Sequence, residues 1–426
     1  MMYYDYHYDD YTNGWVTHFS HVLFLASLPF KRIPSTFPSA SKASSASVTT
    51  LSNGLTVVSE DASTTSTITL TYPNAGSASE TLGEYGAALA NKFLSFKSGS
   101  GLSSAVILRN IENDGATPFA TASRTSATVG YTASKDKAIR LIPLLATDCT
   151  FEKWDVRDAQ ALAKVEVEEA LSNAQSVLTE SIYAAAFGAQ SAMGKPFYAT
   201  SPGSSAMASF RKRAYGLKGA VLSATGIEDH EAFVKAVEIG FSESVVGEGG
   251  MAPKSVYLGG ESRVHAPSAG FAHIVLAFEG VGSSAIMNVV KKCLSSDAIS
   301  GFSAPGLIGV YGGTVASDAA AMADSMVSAM TSVPSAETVE KAKALAKAEA
   351  LFALDSGSQS LSKSMAASVL ETGSFSAASL SAAYDSITVK DVAAVMETLA
   401  KSKPAMAAVG DLSSTPYQGS IVSKFG

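Results

Sequence analysis

Three histidines and one acidic run are the side chains best suited to metal chemistry in this chain. His230, His265 and His273 are the histidines beyond the N-terminal tail, and no two of them stand four residues apart. A zinc site carried by one helix uses that spacing, because residues i and i+4 project from the same side. The acidic run, Val-Glu-Val-Glu-Glu at 165–169, lies in a helical stretch, 152–171. The spacing predicts no helical histidine pair, and the acidic run alone is typical of a solvated helix face.

Residues 83–99, GEYGAALANKFLSFKSG, are the second stretch of interest. The pattern predicts a helix from Gly83 to Lys97 with one apolar side. Gly86, which has no side chain, would let the first turn approach a neighbouring backbone. At helical spacing the apolar side contains Ala88, Leu89, Phe93 and Phe96.

The frame from Gly86 to Lys97 resembles the M16 (pitrilysin-type, inverzincin) peptidases, whose H-x-x-E-H motif lies inside it. In that motif two histidines bind zinc and the glutamate is the general base. The resemblance places Leu89 at the first histidine, Lys92 at the glutamate and Phe93 at the second histidine. Leu and Phe have no lone pair for zinc, and a lysine ammonium repels the ion and accepts no proton. The resemblance therefore implies a motif helix without catalytic or metal-binding residues.

In active M16 peptidases a glutamate downstream of the motif helix completes the zinc site. Glu166 falls at the matching place, with Glu169 as the alternative. One carboxylate without the two imidazoles would bind zinc weakly, because affinity comes from several convergent ligands. We therefore expect no metal and no cofactor. An active metallopeptidase would need zinc bound without either motif histidine.

The resemblance extends over roughly residues 48–426 and is greatest to the M16-like core protein 2 subunits of the mitochondrial cytochrome bc1 complex (complex III). It implies two homologous M16 domains, each an α+β layer of helices on a mostly antiparallel sheet. The segments that carry it are NGLTVVSE at 53–60, NAGSASE at 74–80, GLIGVY at 306–311, 366–373 and AAVGDLSSTPY at 407–417.

This resemblance implies a non-catalytic structural subunit on the matrix side of the mitochondrial inner membrane. The implied partners are a sister core protein 1 or processing-peptidase β-like subunit, together with cytochrome b, cytochrome c1 and the Rieske protein. The alternative is a non-catalytic, α-like subunit of a mitochondrial processing peptidase that binds presequences. The sequence differs from both families at one place each. The segment 295–305 is shorter than in core 2 subunits, and the glycine-rich substrate loop of the α subunits is missing.

Composition excludes several other function classes. The chain has 426 residues, 46% of them hydrophobic and 16% charged, which is enough for two or more domains. Its net charge of −7 argues against a nucleic-acid partner, and the largest basic cluster is 211–213. Cys149 and Cys293 are predicted to be reduced thiols, without a C-x-x-C pair. No Walker A or nucleophile-elbow sequence occurs, and electron transfer through this chain itself is not expected.

Residues 1–47 are predicted to be a transit peptide or a disordered extension. The first ten residues are tyrosine-rich and include three aspartates. The segment 11–50 has only Lys31, Arg32 and Lys42 as charges, a basic and serine-rich composition that fits an organelle transit peptide. The apolar run 22–30 is too short to span a bilayer, although a signal-peptide core is the alternative. Any membrane association would therefore occur through partners.

The remaining chain is predicted to consist of two similar halves. The first domain would cover 48–245, a glycine-rich linker 246–258, and the second domain 259–426. The closing strands support the repeat, since SATGIE at 223–228 matches AAVGDL at 407–412 in pattern. Within the first half we expect one amphipathic helix over 135–149, and within the second half a helix over 284–294 followed by strands near 307–315.

Overall fold

The computed structural model describes residues 46–99, 101–242, 244, 247, 249–266 and 270–425. The described residues belong to one compact unit. The predicted N-terminal extension, 1–47, lies outside the described residues except for its last two, and strand β1 begins at Ser47.

The described strands form two sheets, one in each half of the chain. The first contains β1 (Ser47–Thr50), β2 (Thr56–Ser59), β3 (Ser66–Pro73), β4 (Thr117–Ala122), β5 (Ser126–Ala133) and β6 (Val221–Ala224), in the order β1-β2-β6-β3-β5-β4. The second contains β7 (Glu261–His265), β8 (Phe271–Glu279), β9 (Ser300–Ala304), β10 (Leu307–Val315) and β11 (Ala405–Gly410), in the order β7-β11-β8-β10-β9.

The two sheets repeat one topology. The order β2-β6-β3-β5-β4 corresponds strand by strand to β7-β11-β8-β10-β9. In each set the first pair is parallel, and the other neighbours are antiparallel. The predicted α+β class, with two similar and mostly antiparallel sheets covered by helices, is confirmed.

Helices fill the connections. In the first half they are α1 (Ala87–Phe93), α2 (Ser104–Asn113), α3 (Lys135–Ala138), α4 (Ile142–Leu145), α5 (Lys153–Ser172), α6 (Ala174–Phe187), α7 (Ser204–Ala214) and α8 (His230–Gly240). In the second half they are α9 (Ser284–Cys293), α10 (Ala319–Thr331), α11 (Ala336–Asp355), α12 (Ser358–Thr372), α13 (Ala377–Asp385), α14 (Val389–Lys401) and α15 (Gln418–Val422). Within the described ranges, none of these helices has the length and apolar character that a membrane crossing requires.

Strand β3 shows how the sequence divides the first sheet into two faces. Ile68 and Leu70 point into the main core of this half, because alternate side chains of a strand share a face. Thr67 and Thr69 point to the opposite face and are also fully buried. Their hydroxyl groups hydrogen-bond to serines of α12, and the Ser362 hydroxyl donates to Thr69 Oγ1 at 2.8 Å. The polar face is therefore covered by a helix from the other half of the chain.

This exchange of helices is reciprocal. Helix α12, from the second half, packs on β3 and β6 of the first sheet, where Met365 is fully buried against Val58 and Val221. Helix α6, from the first half, packs on β7, β8 and β11, with Leu178 and Ile182 in the apolar cluster. Each half of the chain thus supplies one helix to the sheet of the other half.

Two local predictions were wrong, and strands β1 and β9 were missed. The predicted helix from Gly83 to Lys97 is shorter, because α1 begins only after Gly86 and ends at Phe93. The continuous helix over 135–149 is two short helices joined by a 3-10 turn, and Pro143 at the start of α4 has no N–H for a helical hydrogen bond. The short segment 295–305 contains strand β9, which pairs with β10. Helix α15 was not predicted.

Candidate functional site

Gly86 fixes the start of helix α1. Its φ of 82° lies in the left-handed region, and a Cβ atom there would stand 2.7 Å from the carbonyl oxygen of Ala199. A glycine therefore satisfies both the backbone conformation and the close approach. The predicted contact between this turn and a neighbouring backbone is confirmed. From this point α1 runs between α5 and α7, which it contacts along its length.

The four motif positions lie at the contact between α1 and α5. Leu89 is 1% exposed and packs in an apolar cluster with Val156 and Ala163, and Phe93 packs at the margin of that cluster. Lys92 forms an ion pair with Glu166 of α5, in which the Lys92 ammonium donates to Glu166 Oε2. The ammonium also lies 4.5 Å from the centre of the Phe93 ring. The structure therefore brings together Lys92, Phe93 and Glu166, while Leu89 turns into the core.

Glu166, and not Glu169, is the acidic residue that faces α1. Glu169 is exposed, one helical turn further along α5. The side chain of Glu166 is 31% exposed and that of Lys92 is 17% exposed. In this partly buried contact either charge without the other would be unfavourable, because an unpaired charge is poorly solvated there.

The residues present do not fit a zinc ion. A tetrahedral zinc site needs imidazole, thiolate or carboxylate ligands. The three other motif positions offer an ammonium, an aliphatic side chain and a phenyl ring, of which none can coordinate a metal. Across the described part of the chain, no group of three or more His, Cys, Asp or Glu side chains could hold a metal ion.

The three histidines of the described chain lie elsewhere. His230 Nδ1 is 2.7 Å from the Ser59 hydroxyl and its Nε2 is 2.9 Å from the Thr49 hydroxyl, so this residue links α8 to the first sheet. His273 Nδ1 is 2.9 Å from the Tyr311 hydroxyl on the second sheet. His265 is exposed at the end of β7. These contacts join elements of the fold and supply no ligand to α1.

A buried polar network holds the beginning of α1, and the sequence patterns did not reveal it. Glu80 is 2% exposed, and its carboxylate accepts hydrogen bonds from the N–H groups of Gly86 at 3.2 Å and Ala88 at 2.8 Å. Burial raises the pKa of Glu80 to about 7. The Lys195 ammonium donates to the carbonyl oxygen of Glu80 at 2.5 Å, and burial lowers the pKa of Lys195. The segment ending at Glu80 was noted for its family resemblance, but its contact with Lys195 joins positions that are 115 residues apart.

Two arginine–glutamate pairs extend this network. Burial acts to raise the pKa of Glu84, but hydrogen bonds from Thr81 and the Arg213 guanidinium, 2.5 Å away, outweigh it and hold the pKa below its usual value. Arg124 pairs with Glu180 of α6 at 2.5 Å. The other oxygen of Glu180 accepts from the N–H of Phe197 at 2.8 Å. These charges have ordered protein partners and fix the loops around α1.

Comparisons with known proteins agree with this geometry. Residues 56–200, which include α1 and Glu166, match the family Insulinase (Peptidase family M16). The chain is 28% identical to the mitochondrial-processing peptidase subunit alpha of Solanum tuberosum, over 89% of this chain and 84% of that protein. It is 25% identical to the mitochondrial-processing peptidase subunit beta of Lentinula edodes, over 88% of this chain and 92% of that protein.

The fold has a close counterpart among solved structures. A chain of complex III2 from Candida albicans, with Inz-5 bound, superposes with a TM-score of 0.75 at 19% sequence identity. The match covers 89% of this chain and 99% of that chain. The resemblance to M16 proteins predicted from the motifs is thereby confirmed, and the chain shares its α+β fold with that complex III chain.

Proposed function

We propose that this chain is a non-catalytic core subunit, of the core protein 2 type, of mitochondrial ubiquinol–cytochrome c reductase. The observation that carries the proposal is the Lys92–Glu166 ion pair between α1 and α5. At the position of the catalytic glutamate the chain has a cation, and at the two histidine positions it has Leu89 and Phe93. A peptidase centre is replaced by a structural contact.

The ion pair accounts for the retention of Glu166 without a metal. A carboxylate that is about two-thirds buried requires a positive partner, and zinc supplies one in an active peptidase. Here the Lys92 ammonium is that partner. Leu89 fills the space beneath with apolar contacts, so that α1 and α5 stay together by packing and charge pairing.

The extent of the structural match supports a role in assembly. The chain matches nearly the whole length of the complex III2 chain. As a core subunit it would contact a sister core protein 1 or processing-peptidase β-like subunit and support cytochrome b, cytochrome c1 and the Rieske protein. It would lie on the matrix side of the inner membrane and associate with the membrane through these partners.

A second candidate follows from the sequence relatives. The potato protein, 28% identical over 89% of this chain, is a mitochondrial-processing peptidase subunit alpha. In this reading the chain is the non-catalytic subunit of a processing peptidase and binds presequences beside a zinc-containing partner. The missing glycine-rich loop weighs against it.

Native separation distinguishes the two candidates. Mitochondrial membranes are solubilised in a mild detergent, and complexes that contain the tagged chain are resolved and identified by mass spectrometry. The core-subunit proposal expects co-migration with cytochrome b, cytochrome c1 and the Rieske protein, with haem absorbance in the same band. A soluble heterodimer with an H-x-x-E-H protein would refute it and favour presequence binding.

The non-catalytic part of the proposal has its own measurement. The purified chain, dialysed against micromolar zinc, should retain well below one zinc per chain by atomic emission spectrometry. A triple variant, Leu89→His, Lys92→Glu and Phe93→His, restores the ligand set beside Glu166 and is the matched comparison. Stoichiometric zinc in the unaltered chain, with peptide cleavage that chelators abolish, would contradict the assignment.

A further inference from the structure

A cavity of about 350 Å³ opens between the main core of the first half and helix α7. It is separate from the contact between α1 and α5, and none of the four motif positions lines it. Its walls include Leu145 at the end of α4, Leu217, and Phe241 after α8. The cavity lies at the lower end of the usual size range of small-molecule sites, which are mostly apolar with a few convergent polar groups.

Three hydrogen-bond donors meet at this cavity without acceptors. Arg211 Nη1 is buried and has no hydrogen-bond partner among the residues that the structure describes. Tyr72 and Tyr215 also line the cavity, and within the described chain their hydroxyl groups form no hydrogen bond. The Arg211 guanidinium carbon is 4.8 Å from the centre of the Tyr215 ring, and the two tyrosine ring centres are 4.8 Å apart. The donors thus form one cluster.

Both tyrosines remain donors at physiological pH. Burial raises the pKa of Tyr215 to about 12, and burial also raises the pKa of Tyr72, against the opposing effect of Arg211. A buried guanidinium edge without an acceptor is unfavourable, because its lost hydration is not replaced. The nearest acidic lining residue, Asp148, is exposed, and among the described ion pairs none joins it to Arg211.

We propose that this cavity binds a small organic monoanion, with a carboxylate against Arg211 and the two tyrosine hydroxyls and an apolar body against Leu145, Leu217 and Phe241. A planar guanidinium pairs with a carboxylate through two parallel hydrogen bonds, which a neutral carbonyl compound cannot match. The apolar walls then select against small inorganic anions. This site does not depend on the proposed role as a core subunit.

The test uses 4-(trifluoromethyl)benzoate as the probe and fluorine NMR of the full chain. The neutral isostere, 4-(trifluoromethyl)benzamide, is the matched ligand control. We expect the fluorine signal of the acid to broaden with a dissociation constant below about 1 mM, and the amide to bind at least tenfold more weakly, about 1.4 kcal/mol. The proposal is overturned if the acid and the amide bind equally. It is also overturned if neither signal broadens at ~5 mM, a concentration at which even millimolar binding is seen.

Variants assign the binding to the cavity. Arg211→Gln removes the charge but keeps a polar side chain, and we expect at least a tenfold loss of affinity for the acid with little change for the amide. Tyr215→Phe should weaken the acid several-fold. Lys235→Gln, at an exposed position of α8, removes the same charge and should leave binding unchanged.

Thermal melting completes the test. The acid should raise the melting temperature of the unaltered chain and not that of Arg211→Gln. An Arg211→Gln chain that melts cooperatively and binds the acid with unchanged affinity refutes the site. If that variant does not fold, the comparison of acid with amide on the unaltered chain decides.

Discussion

The ion pair between Lys92 and Glu166 should stabilise the fold measurably, and a double-mutant cycle can isolate its contribution. The changes are Lys92→Met, which keeps the aliphatic stem beside Phe93, and Glu166→Gln, which keeps the shape of the side chain. Two unit charges in contact at roughly 3 Å attract by about 5 kcal/mol at an effective dielectric constant of 20. Solvent reduces this value, because the two side chains are still 17% and 31% exposed.

The net coupling should lie between the values for exposed and buried pairs. Exposed pairs contribute about 0.2–1 kcal/mol, and removal of one partner from a fully buried pair costs about 3–5 kcal/mol. For this partly buried pair we expect a coupling of about 1–2 kcal/mol. Lys92→Met alone should destabilise by about 2 kcal/mol, because it leaves the Glu166 carboxylate without a partner. The double variant should be less destabilised than the sum of the single variants.

Urea denaturation of the four chains measures the cycle, and the pair Lys401–Glu397 is the control. That pair joins the same residue types on α14, but its side chains are 73% and 67% exposed. Its coupling should be about 0.3–0.5 kcal/mol and should fall in 1 M salt, whereas the inner pair should be less sensitive to salt. A coupling at Lys92–Glu166 no larger than the control would refute the argument that the lysine replaces the metal as the partner of Glu166.

Three further predictions concern the surroundings of α1 and the exchanged helices. Glu80→Gln tests the pH dependence of stability. The pKa of Glu80 is raised from 4.5 in the unfolded chain to about 7 in the folded chain. The free energy of unfolding of the unaltered chain should therefore fall by up to about 3 kcal/mol as the pH rises through that window. The variant should lack this fall in urea titrations between pH 5 and 8, and parallel profiles would contradict the assignment. Gly86→Ala should destabilise the fold by at least ~1 kcal/mol more than Gly219→Ala. Both residues have a φ near +80°, but only at Gly86 would an added Cβ lie within 3 Å of carbonyl oxygens. Equal shifts in melting temperature for the two variants would count against this clash. Met365→Ala should lower the free energy of unfolding by about 2–5 kcal/mol, because it leaves a cavity between α12 and the first sheet. Leu345→Ala, at a position 61% exposed on α11, should be nearly neutral. Similar urea midpoints for the two variants would contradict the packing described for α12.

Local patterns predicted the elements well where one face is apolar. The alternation of Ile68 and Leu70 with threonines defines β3, and the period of 153–172 defines α5. Strand β9 was missed because SGFSA has little β-branched or aromatic character, and its pairing with β10 holds it in the sheet. The break near Pro143 was missed because the apolar spacing continues across it.

The sequence patterns did not predict which helix packs on which sheet. Helical periodicity identifies α6 and α12 but does not say which sheet each one covers, and each covers the sheet of the other half. The predicted boundary between domains at 246–258 follows the chain, and it stays a prediction. For the candidate site, the family resemblance brought Lys92 and Glu166 to one place although 74 positions separate them. No local pattern contains such a contact.

The structure also gives a physical reason why Lys92 and Glu166 belong together. Without Lys92, Glu166 would be partly buried without a cation, and without Glu166, Lys92 would be partly buried without an anion. Either residue without the other is unfavourable, because a charge in this contact loses hydration that nothing replaces. Lys92 and Glu166 together are compatible with Leu89 in the apolar cluster, and the helices keep their contact. The partly buried carboxylate of Glu166 is therefore explained by its lysine partner.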